Sequence, residues 1–187
     1  MIQINQEIPD VEFEVFHKNA FKKMKVSSLK GKWLIMLFYP ADFTFVCPTE
    51  LSEAADYYSK FTKEGAEIIS VSTDTVFVHK AWYDESPSIG KIKYPMAADP
   101  TGKLSRAFGT YIEDEGLSLR ATFIIDPKQK LKSMDIHDNS IGRNIVEIFR
   151  KFQAAKYVNE HAGQACPASW TPKAKTLKPG IDLVGKI

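Results

Sequence analysis

Of the two cysteines in the chain, Cys47 and Cys166, the first stands in a setting that favours reaction. It falls in the run YPADFTFVCPTE, residues 39–50. The apolar residues 33–39 before it read as a buried strand, and a helical pattern follows it. Pro40 ends the strand. Pro48 suits a first helical position, where its missing N–H costs nothing. Cys47 is therefore expected at the mouth of a helix, where unpaired N–H groups and the positive end of the helix dipole favour a thiolate over a thiol. The thiolate is the nucleophile, so the chemistry on offer is attack by sulfur. The alternative is a small, inert, buried apolar residue. The order strand, loop, Cys-Pro, helix tips the reading toward reactivity.

Sulfur chemistry beyond the helix dipole needs a base or a cation. None of His17, His79, His137 and His161 lies in a cysteine-hydrolase signature, and each reads as a surface or hydrogen-bonded histidine. A zinc site is not expected, with no Cys-x-x-Cys and no paired histidines. The missing Cys-x-x-Cys also counts against a thiol-disulfide oxidoreductase. Arg120 opens the strong strand Arg-Ala-Thr-Phe-Ile-Ile. A guanidinium there could hold Cys47 as thiolate and donate two parallel hydrogen bonds to substrate oxygens, or simply end a strand in solvent. Thr44, three residues before Cys47, offers a hydroxyl that donates and accepts. Glu50, in the first helical turn, suits the dipole whatever else it does. Cys166 lies beside Pro167 in a stretch without periodicity, and is read as an exposed second thiol that must travel. A disulfide needs Cα atoms within about 7 Å, so that stretch must reach Cys47 of the same chain or of a neighbour.

The elements that must position these residues follow from periodicity. Val11, Phe13 and Val15 alternate as one face of a strand, and residues 21–26 return as a second. Leu51, Ala54, Ala55, Tyr58 and Phe61 mark a helix face, stopped by Gly65. Residues 66–72 form the next strand. Thr73-Asp74 is expected to cap a helix to about Asp84 that contains Phe77, Ala81 and Trp82. A short extended piece at 94–98 and a short helix at 103–108 precede the strand 121–125, which pairs with 131–136 as a hairpin. A helix from about 142 to 157 should bury Ile141, Ile145, Ile148, Phe149, Phe152 and Ala155. Strands alternating with helices predict an α/β fold with a mixed central sheet. Residues 1–158 are expected to form one domain, and 159–187 an extended C-terminal arm that does not fold alone.

The composition of the 187 residues is that of an ordinary globular protein, 44% hydrophobic and 26% charged. With 25 basic and 23 acidic residues the net charge is +2, which gives no electrostatic reason for binding nucleic acid or a membrane surface. The N-terminus shows no basic region followed by an apolar core, and a cytoplasmic location is expected.

Several motifs in this order resemble the typical two-cysteine peroxiredoxins of the bacterial alkyl hydroperoxide reductase kind. They are YPADFTFVCPTEL around Cys47, VSTD followed by HKAW at 79–82, EGLSLRATFIIDP around Arg120, IGRN at 141–144, ACPASW around Cys166, and the terminal DLVGKI. The resemblance implies a thioredoxin-like fold with an added N-terminal hairpin and a C-terminal arm. It implies reduction of hydroperoxides with no metal, haem or flavin cofactor on this chain. Cys47 is then the peroxidatic cysteine and Cys166 the resolving one, with Pro40, Thr44 and Arg120 around the reacting sulfur and Glu50 and Arg143 in support. A disulfide between subunits, a separate reductase (a flavoprotein reductase subunit or a thioredoxin), and homodimers assembled into a ring-shaped decamer are also implied. Val76 and Val78 stand where relatives more often carry polar residues, near a helix linked to the ring interface, and are expected to weaken the ring. The chain lacks the Gly-Gly-Leu-Gly insertion and Tyr-Phe tail of over-oxidation-sensitive relatives, so tolerance of high peroxide is expected. A redox-regulated chaperone or assembly protein is the rival from another class.

Overall fold

Seven strands build one mixed sheet in the order β2-β1-β5-β4-β3-β8-β9, in a computed structural model that describes residues 2–187. Its interior strand β3 (Trp33–Phe38) is buried at every residue. It pairs parallel with β4 (Ala66–Ser72) and antiparallel with β8 (Arg120–Ile125). An all-apolar strand belongs in such a position, where helices cover both faces. Each fully buried large apolar side chain contributes about 1.5–3 kcal/mol, so this strand anchors the sheet energetically as well as geometrically. β5 (Met96–Ala98) runs parallel beside β4. β1 (Glu12–His17) and β2 (Ala20–Lys25) form the N-terminal hairpin against β5, and β9 (Leu131–His137) closes the other side.

The two margins of the sheet differ in charge. β2 carries Lys22, Lys23 and Lys25 within six residues, whereas β9 carries one lysine and one aspartate, Lys132 and Asp135.

One face of the sheet packs Leu34, Met36, Phe38, Ile69, Val71, Phe123 and Ile125 against Leu104 and Phe108 of α3 (Lys103–Phe108). The alternate residues Ile35, Leu37, Ile68 and Ile124 are buried as well and serve the opposite face, as the period of two requires. α1 (Cys47–Lys63) packs along β4 and buries Leu51, Ala54 and Phe61. Gly65 follows it at φ +85°, the left-handed position the helix stop requires. α2 (Val76–Glu85) lies against β1 and β5. The chain resolves into two compact units, Met1–Ile145 and Val146–Ile187, and the second holds nearly all of α4 (Ile145–Glu160) together with the arm.

Several expectations need correction. α1 begins at Cys47, one residue earlier than the Pro48 start, with Val46 already in helical conformation as its N-cap. α2 is capped by Thr75, whose hydroxyl accepts from the Val78 N–H at 3.4 Å, not by Thr73-Asp74. Its buried residues are Val76, His79 and Trp82, while Phe77 is 69% exposed and Ala81 is exposed. Val76 is thus covered by the chain's own fold. Ile141 is exposed and precedes α4, which starts at Ile145 and not at 142. A two-strand hairpin, β6 (Tyr111–Ile112) with β7 (Leu117–Ser118), was not foreseen.

The arm is more structured than its sequence indicates. Ala165 and Leu177 form an antiparallel bridge, Arg150 Nη1 donates to the Trp170 carbonyl at 2.8 Å, and Trp170 is 3% exposed.

The start of α3 depends on buried Asp99, whose two carboxylate oxygens accept from the N–H groups of Leu104 at 2.9 Å and Ser105 at 2.7 Å. Truncation leaves two buried donors without an acceptor. Asp99→Ala should lower the unfolding free energy by roughly 1–3 kcal/mol in urea titrations.

Candidate active site

Cys47 is the first residue of α1, and its side chain is fully buried. No side chain caps this helix. The Thr49 hydroxyl turns back to donate to the Val46 carbonyl at 2.6 Å, and the same carbonyl accepts from the N–H groups of Thr49 at 3.0 Å and Glu50 at 3.3 Å. The local sequence dictates this. Pro48 at the second helical position needs no hydrogen-bond partner, and Glu50 puts a carboxylate in the first turn.

That carboxylate organises the site. Glu50 Oε1 accepts from the Arg143 N–H at 2.7 Å and from Arg143 Nε at 3.0 Å. Glu50 Oε2 accepts from Arg143 Nη2 at 2.9 Å and Arg120 Nη1 at 2.8 Å. All three side chains are almost wholly withdrawn from solvent. Arg120 Nη1 also donates to Cys47 Sγ at 3.1 Å. The guanidinium is fixed from behind by Asn139, whose carbonyl accepts from Arg120 Nε at 2.9 Å and whose side-chain oxygen accepts from the Arg120 N–H at 3.1 Å. Arg143 Nη1 ends on the Ala121 carbonyl at 2.9 Å. Burial pushes the Glu50 carboxyl up, but the hydrogen bonds and charge of Arg143, with Arg120 adding, hold it below its usual range.

The structure therefore brings together Cys47, Arg120, Glu50 and Arg143. Pro40 is buried at the end of β3, and the Thr44 hydroxyl donates to the Ala41 carbonyl at 2.8 Å within its own loop, leaving its oxygen as an acceptor. Cys166 belongs to the second unit. Its sulfur is half-buried, 3.9 Å from the Ala154 carbonyl. Burial raises its thiol pKa, against an opposing effect from the charge of Arg150. Both cysteines are free thiols.

Sequence reasoning missed Asn139, which had no motif to mark it, and Arg150, read only as part of a helix. His79 is hydrogen-bonded, as expected of the histidines, but it is fully buried against Asp42, which went unnoticed. Among the described residues no group of three or more His, Cys, Asp or Glu is arranged to hold a metal ion, and no helix is long and apolar enough to cross a membrane.

A buried cysteine thus heads the first α-helix after β3, with a locked guanidinium on its sulfur. Residues 4–134 match the model of the AhpC/TSA family. The chain is 47% identical over 187 residues to alkyl hydroperoxide reductase C of Pseudomonas aeruginosa and 46% identical to that of Escherichia coli K12, covering 100% of both partners in each case. The crystal structure of Enterococcus faecalis AhpC is similar with a TM-score of 0.86 at 46% identity, over 89% of this chain and 100% of that one. A reduced 2-Cys peroxiredoxin of Plasmodium vivax gives 0.91 at 29% identity, over 96% of this chain and 94% of that one. The chain belongs to the AhpC/TSA family and is a peroxiredoxin enzyme.

Two outcomes follow for Glu50. Glu50→Gln removes the counter-charge from two buried guanidiniums and should cost about 3–5 kcal/mol at neutral pH, measured by denaturant unfolding. Because the folded carboxyl titrates below the unfolded value of about 4.3, its stabilisation is complete above that pH and is lost as pH falls through the lower folded value. The acid limb of the stability profile should be shallower in Glu50→Gln than in wild type.

Proposed function

We propose that the chain reduces hydrogen peroxide and organic hydroperoxides through Cys47, with Cys166 completing the cycle. The observation that carries this reading is the 3.1 Å hydrogen bond from Arg120 Nη1 to Cys47 Sγ, made by a guanidinium that Glu50 and Asn139 hold still. The Cys47 thiolate attacks the nearer peroxide oxygen in line with the O–O bond. An S–O bond forms, the O–O bond breaks, and the departing alkoxide or hydroxide takes a proton to leave as alcohol or water. The Thr44 oxygen accepts from the hydroperoxide O–H and aligns it, while Arg120 and the Cys47 N–H meet the developing charge, which is catalysis by position and electrostatics. Buried Pro40, with Pro48, keeps water from the sulfur.

Cys47 is now a sulfenic acid. The Cys166 thiolate, contributed by a partner subunit, attacks its sulfur, forms the disulfide and expels water. The first turn of α1 must unwind for this, because Cys47 is fully buried in the closed form. Residues 159–187 act as the moving arm of the peroxidase domain 1–158. An external disulfide reductase, a flavoprotein or a thioredoxin, returns two electrons. The reading extends to a homodimer that assembles into a ring in a reducing compartment such as the cytoplasm. With Val76 buried, Phe77 and half-buried Val78 are what α2 offers a neighbouring subunit. The names of the relatives, alkyl hydroperoxide reductase C and 2-Cys peroxiredoxin, support this chemistry.

Stopped-flow mixing of reduced protein with hydrogen peroxide and an organic hydroperoxide tests it. Cys47→Ser should consume no peroxide, and stoichiometric consumption by that variant overturns the reading. Cys166→Ser should turn over once and stop as sulfenic acid, identified by mass. Arg120→Ala should lose about 10²–10³-fold in the rate constant with peroxide. Wild type should survive excess peroxide, and rapid accumulation of sulfinic acid at Cys47 at modest peroxide is the opposing result.

A further inference from the structure

The loop that leads to Cys47 holds a second buried polar cluster that the reaction above does not use. Asp42 Oδ2 and His79 Nδ1 are 2.7 Å apart, and both side chains are 0% exposed. His79 Nε2 faces the Ala97 carbonyl at 3.1 Å, so that nitrogen carries hydrogen. The other carboxylate oxygen of Asp42 accepts from the Tyr39 hydroxyl at 2.7 Å, and the Asp42 N–H donates to Asp74 Oδ2 at 2.8 Å. Asp74 Oδ2 accepts in turn from the Ser72 hydroxyl at 2.6 Å. Asp42 is thus tied by side chain and backbone to the ends of β3 and β4, and through His79 to α2 and β5.

The next residue, Phe43, sits at φ +54°, a left-handed conformation that is strained for a non-glycine residue and persists only where its surroundings enforce it. Thr44 and Cys47 lie one and four residues beyond it. A buried polar couple is a poor means of stabilising a core, since well-packed apolar residues do as well or better. What this one does is fix a point on the loop.

We propose that Asp42 and His79 are positioning residues for the peroxidatic site. They enforce the left-handed turn at Phe43 and so set Thr44 and Cys47 against Arg120. The couple is also the upstream limit of unwinding: residues up to Asp42 stay in place, while Phe43 relaxes when the first turn of α1 opens. Its loss favours the open loop, which slows capture of peroxide but does not slow disulfide formation. This rests on the roles given to Cys47 and Cys166 above.

The test is stopped-flow fluorescence of the reduced protein with hydrogen peroxide, resolving oxidation of Cys47 from disulfide formation, with folding of each variant checked by circular dichroism and thermal unfolding. Asp42→Ala should slow the first phase by about 10-fold or more, within the ~10²-fold that a 1 Å misplacement can cost, while the second phase is unchanged or faster. Asp42→Asn should return to within about 3-fold of wild type, because its oxygen still accepts from Tyr39 and its amide donates to Nδ1 of a neutral His79. A folded Asp42→Ala with a wild-type first phase overturns the proposal, as does an Asp42→Asn as slow as Asp42→Ala. If Asp42→Ala does not fold, His79→Gln carries the same expectation, and a wild-type first phase in it is equally fatal. Failure of the underlying roles looks different: wild type itself would then show no phase that Cys47→Ser abolishes.

Discussion

A single carboxylate, Glu50, held between two guanidiniums, is the interaction on which the site depends. Burying Arg120 and Arg143 without it would strand two cations in a low-dielectric interior. With it, the cluster carries one net positive charge, since two guanidiniums exceed one carboxylate by one. A thiolate at Cys47, within hydrogen-bond reach of Arg120, is the charge that balances it. The same carboxylate lies in the first turn of the helix that begins with the cysteine. The cysteine and the carboxylate that holds its arginine are therefore one local piece of chain, and the distant arginines are brought to it.

Bringing them there is the task of the sheet. β3 delivers the loop and the start of α1, and β8 runs antiparallel beside it with Ala121 opposite Phe38. Arg120 is the next residue beyond that pair, so the register sets the guanidinium at the end of the sheet where the loop turns. A slip of one residue would turn Arg120 to the other face. The buried apolar faces of β3 and β8 oppose such a slip, which is how core packing fixes the position of Arg120 against Cys47.

Much of this was legible in the sequence, and the rest was hidden for identifiable reasons. β3, β4, α3 and the hairpin of β8 and β9 announced themselves through unbroken apolar runs and turn residues. Cys47, Arg120, Glu50 and Arg143 were picked out, though their convergence spans separations of 70 and more residues that no local pattern encodes. α2 was foreseen to within a residue of its end, but its cap was misplaced, and its buried face of Val76, His79 and Trp82 includes a histidine that periodicity counts as polar. His79 is buried with Asp42 on one ring nitrogen and the Ala97 carbonyl on the other, and partners 37 and 18 residues away leave no trace in its neighbourhood. Asn139 escaped for the same reason. The arm looked featureless because its order comes from scattered single contacts, such as the Trp170 carbonyl on Arg150, and not from a repeating pattern.

The unequal margins of the sheet bear on how copies of the chain can combine. Backbone groups at a margin are a template for another strand, and clustered lysines are a common way to refuse one. β2, with three lysines, repels a second β2, whereas β9, with one lysine and one aspartate, does not repel a second β9. Two copies joined through β9 would expose only lysine-bearing margins at both ends. Growth by that route would stop at two, and a larger assembly would need a different surface.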